Sequence, residues 1–540
     1  MARSAPASDP LATVDHVPNA ARPRPRVIAV VAALAAAGLL AGGCVAPKQQ
    51  TTEPAQPTED GPPTEGPDAP DASGWTLEQF YGQEVSWSEC GGGECARIQA
   101  PLDWDDPAAG AIELALKRAP ANGSEAQRIG SLITNPGGPG GSGLEFVDYV
   151  ADGIVSDEVR ASFDIVGFDP RGVGESTPIS CGDDAVIDDY FTSDVPLESQ
   201  ADVEAARERA RVFGETCLTD TGPLLGEVDT VSAARDVDLM RAVLGDAELY
   251  YLGYSYGTFL GATYADLYPE NVGRLVLDGA LDPSMSNDDL VIGQAVGFEN
   301  ALRAYVEYCQ AAGDCPLTGS VDEAMQQIAD LAMRAEQSPI PAGDQEVNGT
   351  LAFYGIVVTL YDDASWPYLT MALDEVINSG TASTMLELAN FYLDRTPDGS
   401  YTTNSMEAFT AINCLDYPME VRDYDELVAF ADQVAAAAPT FGRDFGMAIG
   451  CETWPFPATG ERGPITASGA APILVVGTTG DPATPYEWAV ALADQLESAT
   501  LLTWEGEGHT AYGRAGACVA DVVETYLLEG ELPDEDARCD

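Results

Sequence analysis

Short, continuously apolar runs punctuate the chain at 129–134, 163–168, 248–253, 274–277, 472–477 and 499–504. Runs of this length, rich in Val, Ile and Leu, fit strands buried on both faces of a parallel sheet. Helical spacing separates several of them. Ala234, Val237, Leu239, Met240 and Val243 mark one face of a helix over 231–244, just before the run at 248–253. A second helix is expected from Thr258 to Tyr268. Strand and helix alternate as in an α/β domain, with a mostly parallel central sheet.

The rhythm breaks between Asp282-Pro283 and about Gly469, where about 185 residues exceed any structureless loop. This stretch predicts a large, mainly helical cap insertion. Ser320-Val321-Asp322-Glu323 is a capping box opening a helix with Met325, Ile328, Leu331 and Ala332 on one face. Ala301, Leu302, Tyr305, Val306 and Cys309 form another such face. The expected division is a first core part over 75–283, a cap over 284–469 and a C-terminal core part over 470–540.

The N-terminus changes the picture of where the protein works. Arg22, Arg24 and Arg26 precede an apolar run over 27–41, the composition of an export signal spanning 1–43. Leu40-Ala41-Gly42-Gly43-Cys44 resembles a lipoprotein processing site, with Ala41 where Leu is usual, and would make Cys44 the lipidated first residue. The competing reading is an uncleaved anchor helix, for which the run falls short of the ~20 residues a span needs. Residues 44–74 are rich in Pro, Thr and Glu and predict a disordered tether. The body is therefore expected outside the cell, held to the membrane only by that lipid anchor.

Eleven cysteines less Cys44 leave an even set, which in an exported chain points to disulfides. Local spacing suggests Cys90 with Cys95, Cys181 with Cys217, Cys309 with Cys315, Cys414 with Cys451, and Cys518 with Cys539, though other connectivities stay open. Cys-x-x-Cys pairs are absent and there are only two histidines, so neither a metal site nor a cofactor is expected. A formal charge of −63 argues against nucleic acid as a partner. It favours cationic ligands such as peptide amino termini, or simply solubility.

His16 lies in the export segment, which leaves His509 as the one imidazole available for proton transfer near neutral pH. Gly253-Tyr254-Ser255-Tyr256-Gly257 stands between a predicted strand and a predicted helix, the setting of a nucleophile elbow. Ser255 could instead be an ordinary turn serine. Upstream, Asn135-Pro136-Gly137-Gly138-Pro139-Gly140-Gly141-Ser142-Gly143 offers backbone N–H groups for an oxyanion hole, from Gly137 or Gly138 together with Tyr256. As a phosphate loop it lacks the Lys and Ser/Thr. Asp481 follows the 472–477 run and is suited to orient His509, with Asp282 as the fallback acid. A lone histidine is often structural, but the order Ser255, Asp481, His509 is that of an α/β-hydrolase.

These segments resemble the secreted actinobacterial tripeptidyl aminopeptidase and proline iminopeptidase-like serine peptidases. The resemblance covers most of the chain after Gly74 and rests on the 135–143 run, Phe168-Asp169-Pro170-Arg171-Gly172-Val173-Gly174-Glu175-Ser176, the Ser255 elbow and Leu277-Asp278-Gly279. Ala411-Ile412-Asn413-Cys414-Leu415-Asp416 and Gly480-Asp481-Pro482-Ala483-Thr484-Pro485 extend it. It implies Ser255 as nucleophile, His509 as base then acid, and Asp481 as its partner. Cap carboxylates would hold the substrate's ammonium, with Asp416 and Glu452 as candidates. Pro136 stands where proline iminopeptidases carry His, which speaks against removal of a single proline. The expected protein is a monomeric, exported serine exopeptidase releasing tripeptides from free amino termini. An esterase or lipase with the same triad is one alternative; a non-catalytic surface-binding lipoprotein is another.

Overall fold

The computed structural model describes Ala72 and residues 74–540, apart from Pro196, Ala448, Glu461 and Asp536. The expected export signal, Cys44 and nearly all of the expected tether lie outside the described residues. The chain forms β1 (Ser88–Cys90), β2 (Gly93–Pro101), β3 (Ala111–Ala119), β4 (Gly130–Asn135), β5 (Phe163–Phe168), β6 (Leu249–Tyr254), β7 (Val272–Asp278), β8 (Ile340–Ala342), β9 (Gln345–Val347), β10 (Ile473–Gly480), β11 (Ala499–Glu507) and β12 (Ala537–Cys539). One sheet runs in the order β1-β2-β3-β5-β4-β6-β7-β10-β11-β12, and β8 pairs with β9 alone.

From β5 through β4, β6, β7, β10, β11 and β12 every pairing is parallel. Every residue of β4 and β5 is buried, because helices cover both faces of a parallel sheet and leave no polar side. All six apolar runs fall on strands of this block. The antiparallel edge β1-β2-β3 was not legible. Ala111–Ala119 reads Ala-Ile-Glu-Leu-Ala-Leu-Lys-Arg-Ala, residues that favour helix on local propensity, and only pairing with β2 and β5 holds it extended.

The expected capping box at Ser320 and Glu323 opens the helix Val321–Gln337, which buries Met325, Ile328 and Leu331. Asn287–Ala312 likewise buries Ala301, Leu302, Tyr305, Val306 and Cys309. Helices Gly349–Leu360, Trp366–Asp374, Ser383–Tyr392, Ser405–Asp416 and Tyr424–Ala437 fill most of the remaining insertion.

Two helices from before residue 283, Asp184–Thr192 and Gln200–Thr221, and the connection between them make contacts with this insertion. Asp188 pairs with Arg395 at 2.5 Å, Thr350 N donates to Asp194 Oδ1 at 2.8 Å, and Arg207 pairs with Glu452. Residues ahead of 283 are thus tied to the 284–469 insertion by ion pairs and hydrogen bonds.

All five expected disulfides are formed: Cys90–Cys95, Cys181–Cys217, Cys309–Cys315, Cys414–Cys451 and Cys518–Cys539. Such a set belongs to a protein that matures outside the reducing cytoplasm.

Candidate active site

β6 ends directly in Ser255, and the helix Tyr256–Leu267 begins at the next residue. So abrupt a turn forces Ser255 to φ 55° and ψ −124°, a strained conformation for a residue with a Cβ. Its flanking glycines are required by space. A Cβ on Gly253 would lie 2.5 Å from Gly257 O, and one on Gly257 would lie 2.8 Å from Asn135 Oδ1. The turn is held by Ser255 N donating to Asp278 O at 2.9 Å and Thr258 N donating to Ser255 O at 2.8 Å.

His509 follows β11, one strand beyond β10, which delivers Asp481. His509 Nδ1 lies 2.9 Å from both carboxylate oxygens of Asp481. A carboxylate can only accept, so Nδ1 carries a proton, and in the neutral imidazole Nε2 is the nitrogen with the free lone pair. Asp481 is fixed in turn by the N–H groups of Ala483, Thr484 and Thr510 at 2.9, 2.8 and 3.2 Å. The fallback acid Asp282 is engaged elsewhere, accepting from Ser284 and from Gln495 Nε2.

Asp278 and Gly279 touch both the Ser255 turn and the His509 ring. Asp278 O accepts the Ser255 N–H, and a Cβ built on Gly279 would sit 3.2 Å from His509 Cε1. The Asp278 carboxylate holds the chain just after His509, accepting Ala511 N at 3.0 Å and Tyr512 N at 2.7 Å. Burial pushes this carboxyl up to about 7, against the pull of those two donors. Among the described residues no hydrogen bond joins Ser255 Oγ to His509. Such bonds are often long before substrate binds.

Gly137 and Gly138 differ in what they can offer. Gly137 N donates to Asn135 Oδ1 at 2.9 Å, so of the two expected alternatives it is the one already engaged. Its service is close approach: with φ +93°, a Cβ there would lie 2.5 Å from Tyr254 O and 2.9 Å from Ser255 Cβ. Gly138 N and Tyr256 N make no hydrogen bond among the described residues, and Tyr256 opens a helix whose N-terminus favours negative charge. The loop is braced by Asp169, which accepts Ser142 Oγ at 2.6 Å and Glu175 N at 2.8 Å.

The two proposed amine anchors are not free. Asp416 is buried, with Oδ1 accepting Thr230 N at 2.9 Å and Oδ2 accepting Thr230 Oγ1 at 2.6 Å. Thr230 Oγ1 also meets the Tyr256 hydroxyl at 2.5 Å, so Asp416 buttresses the residue after the nucleophile. Burial pushes its carboxyl up to about 7. Glu452 is 4% exposed and paired with Arg207. Both follow from the resemblance as carboxylates of the cap, which says nothing of partners brought from the helices Gln200–Thr221 and Thr230–Leu244.

The parallel sheet, the strained serine turn after β6 and the acid and histidine after β10 and β11 define a serine hydrolase of the α/β-hydrolase fold. Residues 438–539 match the family described as TAP-like protein. Serine protease Hip1 of Mycobacterium tuberculosis is 36% identical over 486 residues, covering 86% of this chain and 92% of that protein. Carboxylesterase B of the same species is 37% identical over 518 residues, covering 94% and 97%. Tripeptidyl aminopeptidase of Streptomyces lividans is 33% identical over 470 residues, covering 84% and 86%. The chain belongs to this tripeptidyl aminopeptidase-like family of serine hydrolases.

Proposed function

We propose that the protein is an exported serine exopeptidase that releases short peptides, tripeptides by preference, from free amino termini through an acyl-enzyme on Ser255. The reading is supported by the His509–Asp481 pair, whose imidazole packs against Gly279, next to the Asp278 carbonyl that holds a strained, glycine-flanked serine. Ser255 Oγ attacks the scissile carbonyl carbon while Nε2 takes the hydroxyl proton. The developing oxyanion is met by the N–H groups of Gly138 and Tyr256. His509 returns the proton to the departing amine, and water, deprotonated by the same nitrogen, hydrolyses the ester. A strongly acidic body suits a substrate bearing an ammonium.

Residues 1–43 serve as the export signal, Cys44 as the lipidation site and 44–74 as the tether that holds a monomeric enzyme off the outer face of the membrane. A Cys44→Ala variant should then appear in the medium instead of the membrane fraction. The second reading, an esterase, is favoured by the similarity to Carboxylesterase B. The deciding experiment compares a free-amine tripeptide anilide, its N-acetylated twin and a simple p-nitrophenyl ester. Preference for the free amine supports the peptidase; equal cleavage of both peptides with faster ester turnover would overturn it.

A further inference from the structure

The histidine loop is fastened to the cap. His509 N donates to Tyr361 O at 2.8 Å, so the base's own main-chain N–H is satisfied by the insertion and not by the sheet. Gly508 and Asp362 form an isolated antiparallel bridge, and the Tyr361 ring stands edge-on to the imidazole with centroids 5.5 Å apart.

One guanidinium closes the junction. Arg514 Nη1 donates to His509 O at 3.0 Å and Thr510 O at 2.9 Å. Its Nη2 donates to Glu507 O at 3.1 Å and crosses to the cap, reaching Asp362 Oδ1 at 3.0 Å. The Arg514 side chain is only 17% exposed. Its planar fork therefore serves carbonyls on both sides of the base and a cap carboxylate at once, a geometry a single ammonium cannot reproduce.

We infer that Arg514 and Asp362 are positioning residues that set His509 from the cap, so that the base is correctly placed only while the 361–363 segment is seated. The cap then shapes more than the substrate cleft: any movement that lifts this edge displaces the imidazole, and substrate held in the cap is felt at the general base. This inference rests on His509 acting as the base.

The test uses the full-length enzyme with Arg514→Gln, Arg514→Lys, Asp362→Asn and the Gln/Asn double variant, normalised by fluorophosphonate titration of Ser255. A misplacement of His509 by about 1 Å should lower kcat by about 10²-fold in Arg514→Gln. KM should stay within about twofold, since ground-state binding is untouched. Arg514→Lys should recover part of the loss, and the double variant should be no worse than Arg514→Gln, because both substitutions cut one link. Asp362→Asn, which leaves the carbonyl contacts of Arg514 intact, serves if Arg514→Gln fails to fold. A normal kcat in soluble Arg514→Gln or, failing that, in Asp362→Asn, or strictly additive losses, would overturn the inference. If His509→Ala itself kept full activity, the underlying assignment of the base would fall instead.

Discussion

Substituting Gly137 by Ala probes the oxyanion loop without touching any group that reacts. The new Cβ would start 2.5 Å from Tyr254 O and 2.9 Å from Ser255 Cβ, whereas carbon and oxygen in contact normally stand about 3.3–3.6 Å apart. Both obstacles belong to the elbow, which β6 and the helix Tyr256–Leu267 hold rigidly, so the loop must retreat by about 1 Å, and a shift of that size can cost about 10²-fold. Gly138 N moves with it, and losing one oxyanion donor costs about 10²–10³ in kcat, or about 3–4 kcal/mol of barrier. Ala at φ +93° adds backbone strain of about 1 kcal/mol or more to the folded state. The measurement is kcat and KM on a free-amine tripeptide anilide, normalised to titrated active sites, with a thermal melt alongside. A Gly137→Ala enzyme with kcat within about threefold of wild type would refute the placement of the oxyanion hole between Gly138 and Tyr256.

Asp481→Asn should lower kcat by about 10⁴-fold, since the amide favours the wrong tautomer of His509; a loss under about tenfold in steady-state assays would remove Asp481 from the relay. Asp278, Glu407 and Asp416 are each pushed up to about 7 by burial, so between about pH 4 and 7 the folded chain binds protons that the unfolded chain releases. Stability should therefore be lost as pH rises through that window, giving a higher melting temperature at pH 5 than at pH 8. Calorimetry checks this, and a melting temperature that rises from pH 5 to 8 would contradict it. Arg171, 1% exposed, makes two 2.7 Å bonds to the equally buried Asp236; Arg171→Met should cost about 3–5 kcal/mol in urea unfolding by stranding that carboxylate, and Arg171→Met/Asp236→Leu should recover part of it.

Much of the relay is legible in the amino-acid order alone. The Ser255 elbow, Asp481 and His509 stand out because each sits where an apolar run ends, and a parallel strand buried on both faces leaves a local signature of continuous apolar residues. The cap is legible from length and helical periodicity, and the disulfides from short sequence separations. All of this depends on neighbours within a few dozen residues. Strand β3 is not legible, because its composition favours helix and its extended form exists only between β2 and β5. The brace formed by Asp278 is equally hidden: its carboxylate serves N–H groups 233 and 234 residues away. Arg514 meets Asp362 across 152 residues, and Glu452 proves to belong to Arg207, 245 residues distant. The amino-acid sequence by itself determined which side chains are proposed to carry the chemistry and the elements that deliver them. Tertiary structure alone decided which carboxylates are free, which are spent on structure, and what steadies the base, because a buried charge takes whatever partner the packing brings within about 3 Å.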